Sequence, residues 1–309
     1  MPQRDTSQAS GLSEIARGQV KRLARCLDQV MADGDVEGVH DLRVATRRLR
    51  ESLSMGSTGT TPRTVRGARR KLRKLRDAFA HVRDLDVVQT ILNDAVQADR
   101  LRPDESARLE GTLTRLRQRS IDKARRRVRK NRLTRVVSDV RNLSDLLERV
   151  APRPGDDTAV ALQQRFTRRA EAVIRVGPPA ASDSDLHVLR LAVKKVRYCA
   201  EILQRAGVRQ DDGLITELVA LQDLLGHWND LVMAARILAR VATRWREIAH
   251  APAWSARLLQ FSAVQAHAAE AERDKIVNRW PSFEPVLRRA LESAVPSEST
   301  PTESAPAAH

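Results

Sequence analysis

His40, Arg43, Arg47, Arg48 and Arg50 form the pattern H-x2-R-x3-[RK]-[RK]-x-R, and His187, Arg190, Lys194, Lys195 and Arg197 form it a second time. Arginine offers a flat, permanently charged fork that matches phosphate oxygens, lysine a point charge, and histidine a donor whose charge depends on its surroundings. On a helix, His40, Arg43, Arg47 and Arg50 fall within a sector of roughly 80°, as do His187, Arg190, Lys194 and Arg197. Neither stripe contains an acid, so like charges repel along each face unless an anion relieves them.

The elements carrying these stripes follow from the apolar positions between them. Leu42, Thr46, Leu49 and Leu53 occupy a separate sector of the first helix, and Leu186, Leu189, Val193 and Val196 do so in the second. Each helix therefore has a core seam and a basic face. The copies lie almost half the chain apart, which marks an internal repeat. A second pair of segments supports it: Leu75–Leu85 reads onto Leu221–Leu231 with Asp77, His81 and Asp84 in register with Asp223, His227 and Asp230. In the first copy Arg66, Arg69, Arg73 and Arg76 again line one side, with Arg70 and Lys74 beside them and Arg83 further on. The second copy has Thr216, Glu217 and Asn229 instead, so the basic surface is expected to be lopsided. Ala80 stands where the second copy has Gly226, a difference expected to shift close helix packing.

Helical periodicity dominates the chain and strand-like alternation is nearly absent. Breaks fall at Asp33-Gly34-Asp35, Gly56–Pro62, Pro103, Ala151–Gly155, Gly177–Pro179, Gly207 and Pro252, leaving about four helices per half. The expected fold is all-α: two pseudo-symmetric four-helix bundles, residues 11–150 and 158–293, joined by a linker at 151–157 and facing across a basic cleft or pore. Residues 1–10 and the Ser-, Thr-, Pro- and Ala-rich stretch 294–309 are expected to be disordered.

A net charge of +16 and a pI near 11.1 favour a polyanion as partner over an ordinary metabolite. Residues 1–155 hold 35 Lys+Arg against 20 Asp+Glu, and 156–309 hold 20 against 19, so the first half carries the surplus. Part of it is a second dense run, from Lys123 to Arg135. The two cysteines, Cys26 and Cys199, fall on apolar seams and read as reduced core residues. With no apolar N-terminal stretch and no apolar run near the roughly 20 residues of a membrane span, a soluble cytoplasmic protein is expected. Aromatics make up only 3% of the residues, so the core must be aliphatic.

The duplicated histidine-led basic helix resembles the CHAD family, the conserved histidine α-helical domain, over roughly residues 11–293. His40, Arg43, Arg47, Arg48 and Arg50 match its motif once, and His187, Arg190, Lys194, Lys195 and Arg197 match it again. The resemblance implies two helical bundles around a basic cleft that binds inorganic polyphosphate, with neither catalysis nor a cofactor or metal, and a place on polyphosphate granules. On that reading the contacts come from both motifs, from Arg66, Arg69, Arg70, Arg73, Lys74, Arg76 and Arg83, and from Tyr198 beside the second stripe. Nonspecific binding of nucleic-acid backbone is the nearest alternative. Bases usually stack on interleaved aromatics, and Tyr198 alone follows a basic stripe. A metal-dependent phosphohydrolase built on the His40-Asp41 dipeptide with His81, Asp84 and Asp86 is a weaker one, since neighbouring side chains diverge on a helix and Val188 replaces Asp41 in the second copy.

Overall fold

A computed structural model describes residues 11–55, 63–98, 100, 103–149, 157–177, 182–205, 207–208, 213–244 and 251–293. These residues fold into helices without strands. The helices are α1 (Gly11–Ala32), α2 (Val36–Met55), α3 (Arg63–Ala78), α4 (Ala80–Gln97), α5 (Pro103–Lys130), α6 (Val136–Arg149), α7 (Asp157–Val176), α8 (Asp183–Arg205), α9 (Leu214–Arg244) and α10 (Pro252–Glu292), with one 3-10 turn, Leu133–Arg135, before α6. The expected linker and both chain ends lie outside the described residues, apart from Asp157, which opens α7.

The two basic helices start under the same local control. The Asp35 carboxylate accepts the backbone N–H of Gly38 at 3.0 Å, and the Ser182 hydroxyl accepts that of Asp185 at 3.2 Å. Each cap satisfies an amide at the third helical position, so α2 and α8 begin in equivalent registers and His40 and His187 both sit in the second turn. Gly34, at φ +69°, makes the tight turn that feeds α2. The seams then bury as the spacing predicts: Leu42, Leu49 and Leu53 are enclosed in one helix and Leu186, Leu189, Val193 and Val196 in the other.

Three apolar clusters form among the described residues. One joins α1, α2, α3, the C-terminal half of α5 and α6, around Leu23, Leu49, Leu72 and Phe79. Another joins α7, α8, the N-terminal half of α9 and the C-terminal half of α10, around Phe166, Val193, Leu225 and Phe283. The third draws on both halves: Leu85, Val88 and Leu92 of α4 and Leu109 and Leu113 of α5 pack with Leu238 of α9 and Phe261 of α10. This shared core holds the two halves as one body, a feature the repeat alone does not predict.

Among the described residues the first half also has six helices rather than about four. Of its two extra breaks, one is the turn between α5 and α6, and the other separates α3 from α4 at Phe79, whose backbone (φ −99°, ψ 12°) leaves the helical basin while its ring is fully buried. The second half runs through the same register without interruption in α9. Gly226 has nothing within 4 Å of where a Cβ would stand, so its difference from Ala80 does not govern close helix packing as expected.

Candidate functional site

The first three residues of each stripe meet in one cavity. His40, Arg43 and Arg47 of α2 face a space of about 1200 Å³ together with His187, Arg190 and Lys194 of α8. Arg83 and Asp84 of α4 and Gln222, His227, Asn229 and Asp230 of α9 also line it, beside apolar residues such as Val87, Trp228 and Met233. The fourth stripe residue diverges in both copies. Arg50 sits against α3, where partial burial and the nearby Arg76, Arg69 and Arg73 lower its pKa. Arg197 pairs with Glu201 at 3.3 Å and lies 4.9 Å from the Tyr198 ring centroid.

Burial and mutual repulsion dominate the electrostatics. The Arg43 guanidinium is pushed down to about 10, chiefly by burial, with Asp84 opposing and Arg47, Arg76 and Arg83 adding to the fall. Lys194 drops further, to about 7, through burial, Arg190 and Arg47, with Asp230 opposing. Arg190 shifts down through burial and Arg47, again opposed by Asp230. His40 falls below the ordinary imidazole value through partial burial and the nearby Arg83. Each carboxylate supports the stripe facing it: Asp84 steadies Arg43, and Asp230 steadies Arg190 and Lys194. Burial in turn raises the pKa of Asp84. The cavity thus holds cations that lack enough counter-charge, which favours entry of an anion.

Cross-links fix the stripes. Arg43 Nη1 donates to the backbone carbonyl of Arg76 at 3.3 Å, tying α2 to α3. Arg47 Nη1 donates to the Tyr198 hydroxyl at 3.4 Å, which joins the halves directly. Tyr198 is buried and borders a separate small pocket with Arg48, so both support the α2–α8 contact instead of lining the cavity. Lys195 is exposed and lies outside the cavity; its backbone carbonyl accepts Arg169 Nη1 at 3.1 Å. Arg66, Arg69, Arg70, Arg73, Lys74 and Arg76 also lie outside it, along α3, where Arg76 pairs with Asp77 at 2.7 Å.

Several wall residues lie outside the set expected from the stripes. Asp84 and Asp230 could have been found, because the repeat places them in register. Gln222, His227 and Asn229 carry no signal beyond that same alignment. Arg236 reaches the rim, where it pairs with Asp183 at 3.3 Å. Of the carboxylates of the phosphohydrolase alternative only Asp84 lines the cavity: Asp41 accepts Arg22 at 2.7 Å, and the buried Asp86 accepts Arg117 at 2.5 Å. Among the described residues, no three His, Cys, Asp or Glu side chains converge as a metal-ligand set. Cys26 and Cys199 are buried free thiols.

The family model of the CHAD domain matches residues 14–239. This chain belongs to the CHAD family. The CHAD domain from the plant Ricinus communis has a similar crystal structure, with a TM-score of 0.66 and 20% identity over 93% of this chain and 93% of that one. PptA from Streptomyces chartreusis is similar too, with a TM-score of 0.62 and 21% identity over 88% of this chain and 99% of that one. At such identity these likenesses speak for the CHAD fold alone. None of the curated proteins matches the chain. Among the described residues, no helix is long and apolar enough to cross a membrane.

Proposed function

We propose that this CHAD protein binds linear inorganic polyphosphate in the cavity between α2 and α8, without turning it over. The observation that carries the reading is the convergence of His40, Arg43 and Arg47 with His187, Arg190 and Lys194 on one space. Linear polyphosphate has no bases to read and roughly one charge per unit, so recognition reduces to charge, spacing and forked hydrogen bonds. The cavity exceeds the roughly 300–1,000 Å³ typical of a small-molecule site, which suits a chain segment of several phosphates. Arg50 and the basic face of α3 continue the α2 stripe beyond the cavity and would hold phosphates outside it.

Binding without hydrolysis accords with where the acids stand. Asp41 and Asp86 are engaged by arginines outside the cavity, while Asp84 and Asp230 face cations and orient them. In the cell the protein is then cytoplasmic and carried on polyphosphate granules, which a fluorescent fusion would report as foci that vanish when polyphosphate is depleted. The direct test compares long-chain polyphosphate with orthophosphate at near-physiological salt, using wild type and an R43A/R47A/R190A/K194A variant. Tight binding of the polymer alone, lost in the variant, is expected, with no phosphate released when magnesium is added. Equal binding by wild type and variant would refute the site, and magnesium-dependent release of phosphate would refute the non-catalytic reading.

A further inference from the structure

A second cationic surface stands apart from the cavity. Arg126, Arg127, Arg129 and Lys130 end α5, and Arg132 and Arg135 follow in the turn before α6; all six are exposed. None of them lines the cavity, and among the described residues no ion pair involves them. The four helical residues fan over about 160° of α5, opposite the buried Ile121, Ala124 and Val128. The backbone beneath them is anchored. Arg125 donates to the carbonyls of Val30 and Ala32 at 3.1 and 2.7 Å, capping the end of α1, and Leu133 and Val136 bury the turn.

Cations in a last helical turn complement the helix dipole, but that effect covers only Arg127, Arg129 and Lys130. Arg126, Arg132 and Arg135 lie beyond it, and six like charges so close repel one another without any acid between them. The fan is convex, so it does not enclose a thin flexible polymer as the cavity does. A duplex fits it better: the DNA major groove, about 12 Å wide, admits a helix, and a helix with cations on several sides meets the phosphate rows on both flanks. Two absences within the run narrow the partner. No aromatic is available to stack single-stranded bases. None of the exposed large apolar side chains falls there to enter a lipid surface.

We propose that the end of α5 and the turn after it bind duplex DNA through its phosphate backbone, independently of the cavity, so that one molecule bridges DNA and a second polyanion. The test is fluorescence anisotropy of a labelled mixed-sequence duplex of about 25 base pairs against wild type, R126Q/R127Q/R129Q/K130Q, R126K/R127K/R129K and R43A/R190A. The glutamine variant is expected to bind the duplex at least ~10-fold more weakly, with a log–log salt slope shallower by about 3 to 4, while its polyphosphate affinity stays within about twofold. The lysine variant should keep duplex binding within a few-fold, R43A/R190A should keep it fully, and wild type saturated with polyphosphate should still bind the duplex. Unchanged duplex binding in the glutamine variant would overturn the proposal, as would equal loss in the lysine variant or displacement of the duplex by polyphosphate. Loss of binding to anionic vesicles in place of duplex would assign the surface to membranes instead. Should polyphosphate binding fail in every protein while the duplex result holds, the cavity reading falls and this one stands.

Discussion

Burial and the neighbouring arginines bring the charge of Lys194 within reach of physiological pH. Its folded value near 7 lies below the roughly 10.4 of an unfolded chain, so between those limits the unfolded state holds more protons and this residue makes stability climb with pH. A bound polyanion favours the charged amine and reverses the shift. Polyphosphate affinity should therefore fall as pH rises from 7 to 9, with net proton uptake on binding; calorimetry in buffers of different ionisation enthalpy reads that uptake, and K194R should flatten the pH profile. Burial pushes the Cys199 thiol up to about 12 and raises Cys26 as well, so neither should react with a disulfide reagent until the protein unfolds. At this scale the sequence revealed the cations better than their partners. Arg43 and Arg190 stood out by type and spacing, whereas Asp84 and Asp230 oppose the sign being sought, and Tyr198 looked like a ligand contact because nothing local says that its hydroxyl meets Arg47 across the repeat.

At the scale of elements, α2 and α8 were legible because seam and stripe agree on one register, which the caps then fix. The division between α3 and α4 was not, since Phe79-Ala80 is neither a proline nor a glycine break; the helix yields there to bury a ring. The shared core was equally hidden. Seams on α4, α5, α9 and α10 show that each helix buries a face, but not which partner it meets. A buried ion pair ties part of this region together: Asp86, with no side-chain exposure, accepts Arg117, which also donates to the Gly34 carbonyl at 2.9 Å. R117M should destabilise the protein by about 3–5 kcal/mol by stranding the carboxylate, and D86L/R117M should recover most of the loss in denaturant titrations.

Across the whole molecule, the cost of crowding cations shows up as stability held back until a polyanion arrives. Polyphosphate should raise the melting temperature, and more so at low salt, because a ligand that binds only the folded state stabilises it and surface charge is screened. R43A/R47A/R190A/K194A should melt higher than wild type without ligand and lose the ligand-dependent gain. The all-helical fold was visible in the periodicity; the size of the cavity was not, since it depends on how the packed helices space α2 from α8.

The central claim is that both halves grip one ligand in one cavity. Titration calorimetry with a polyphosphate short enough to lie within it tests this most directly, using wild type, R43A and R190A. One chain should bind per protein, and each substitution should weaken that same single site. Two sites per protein, one surviving each substitution, would contradict the account.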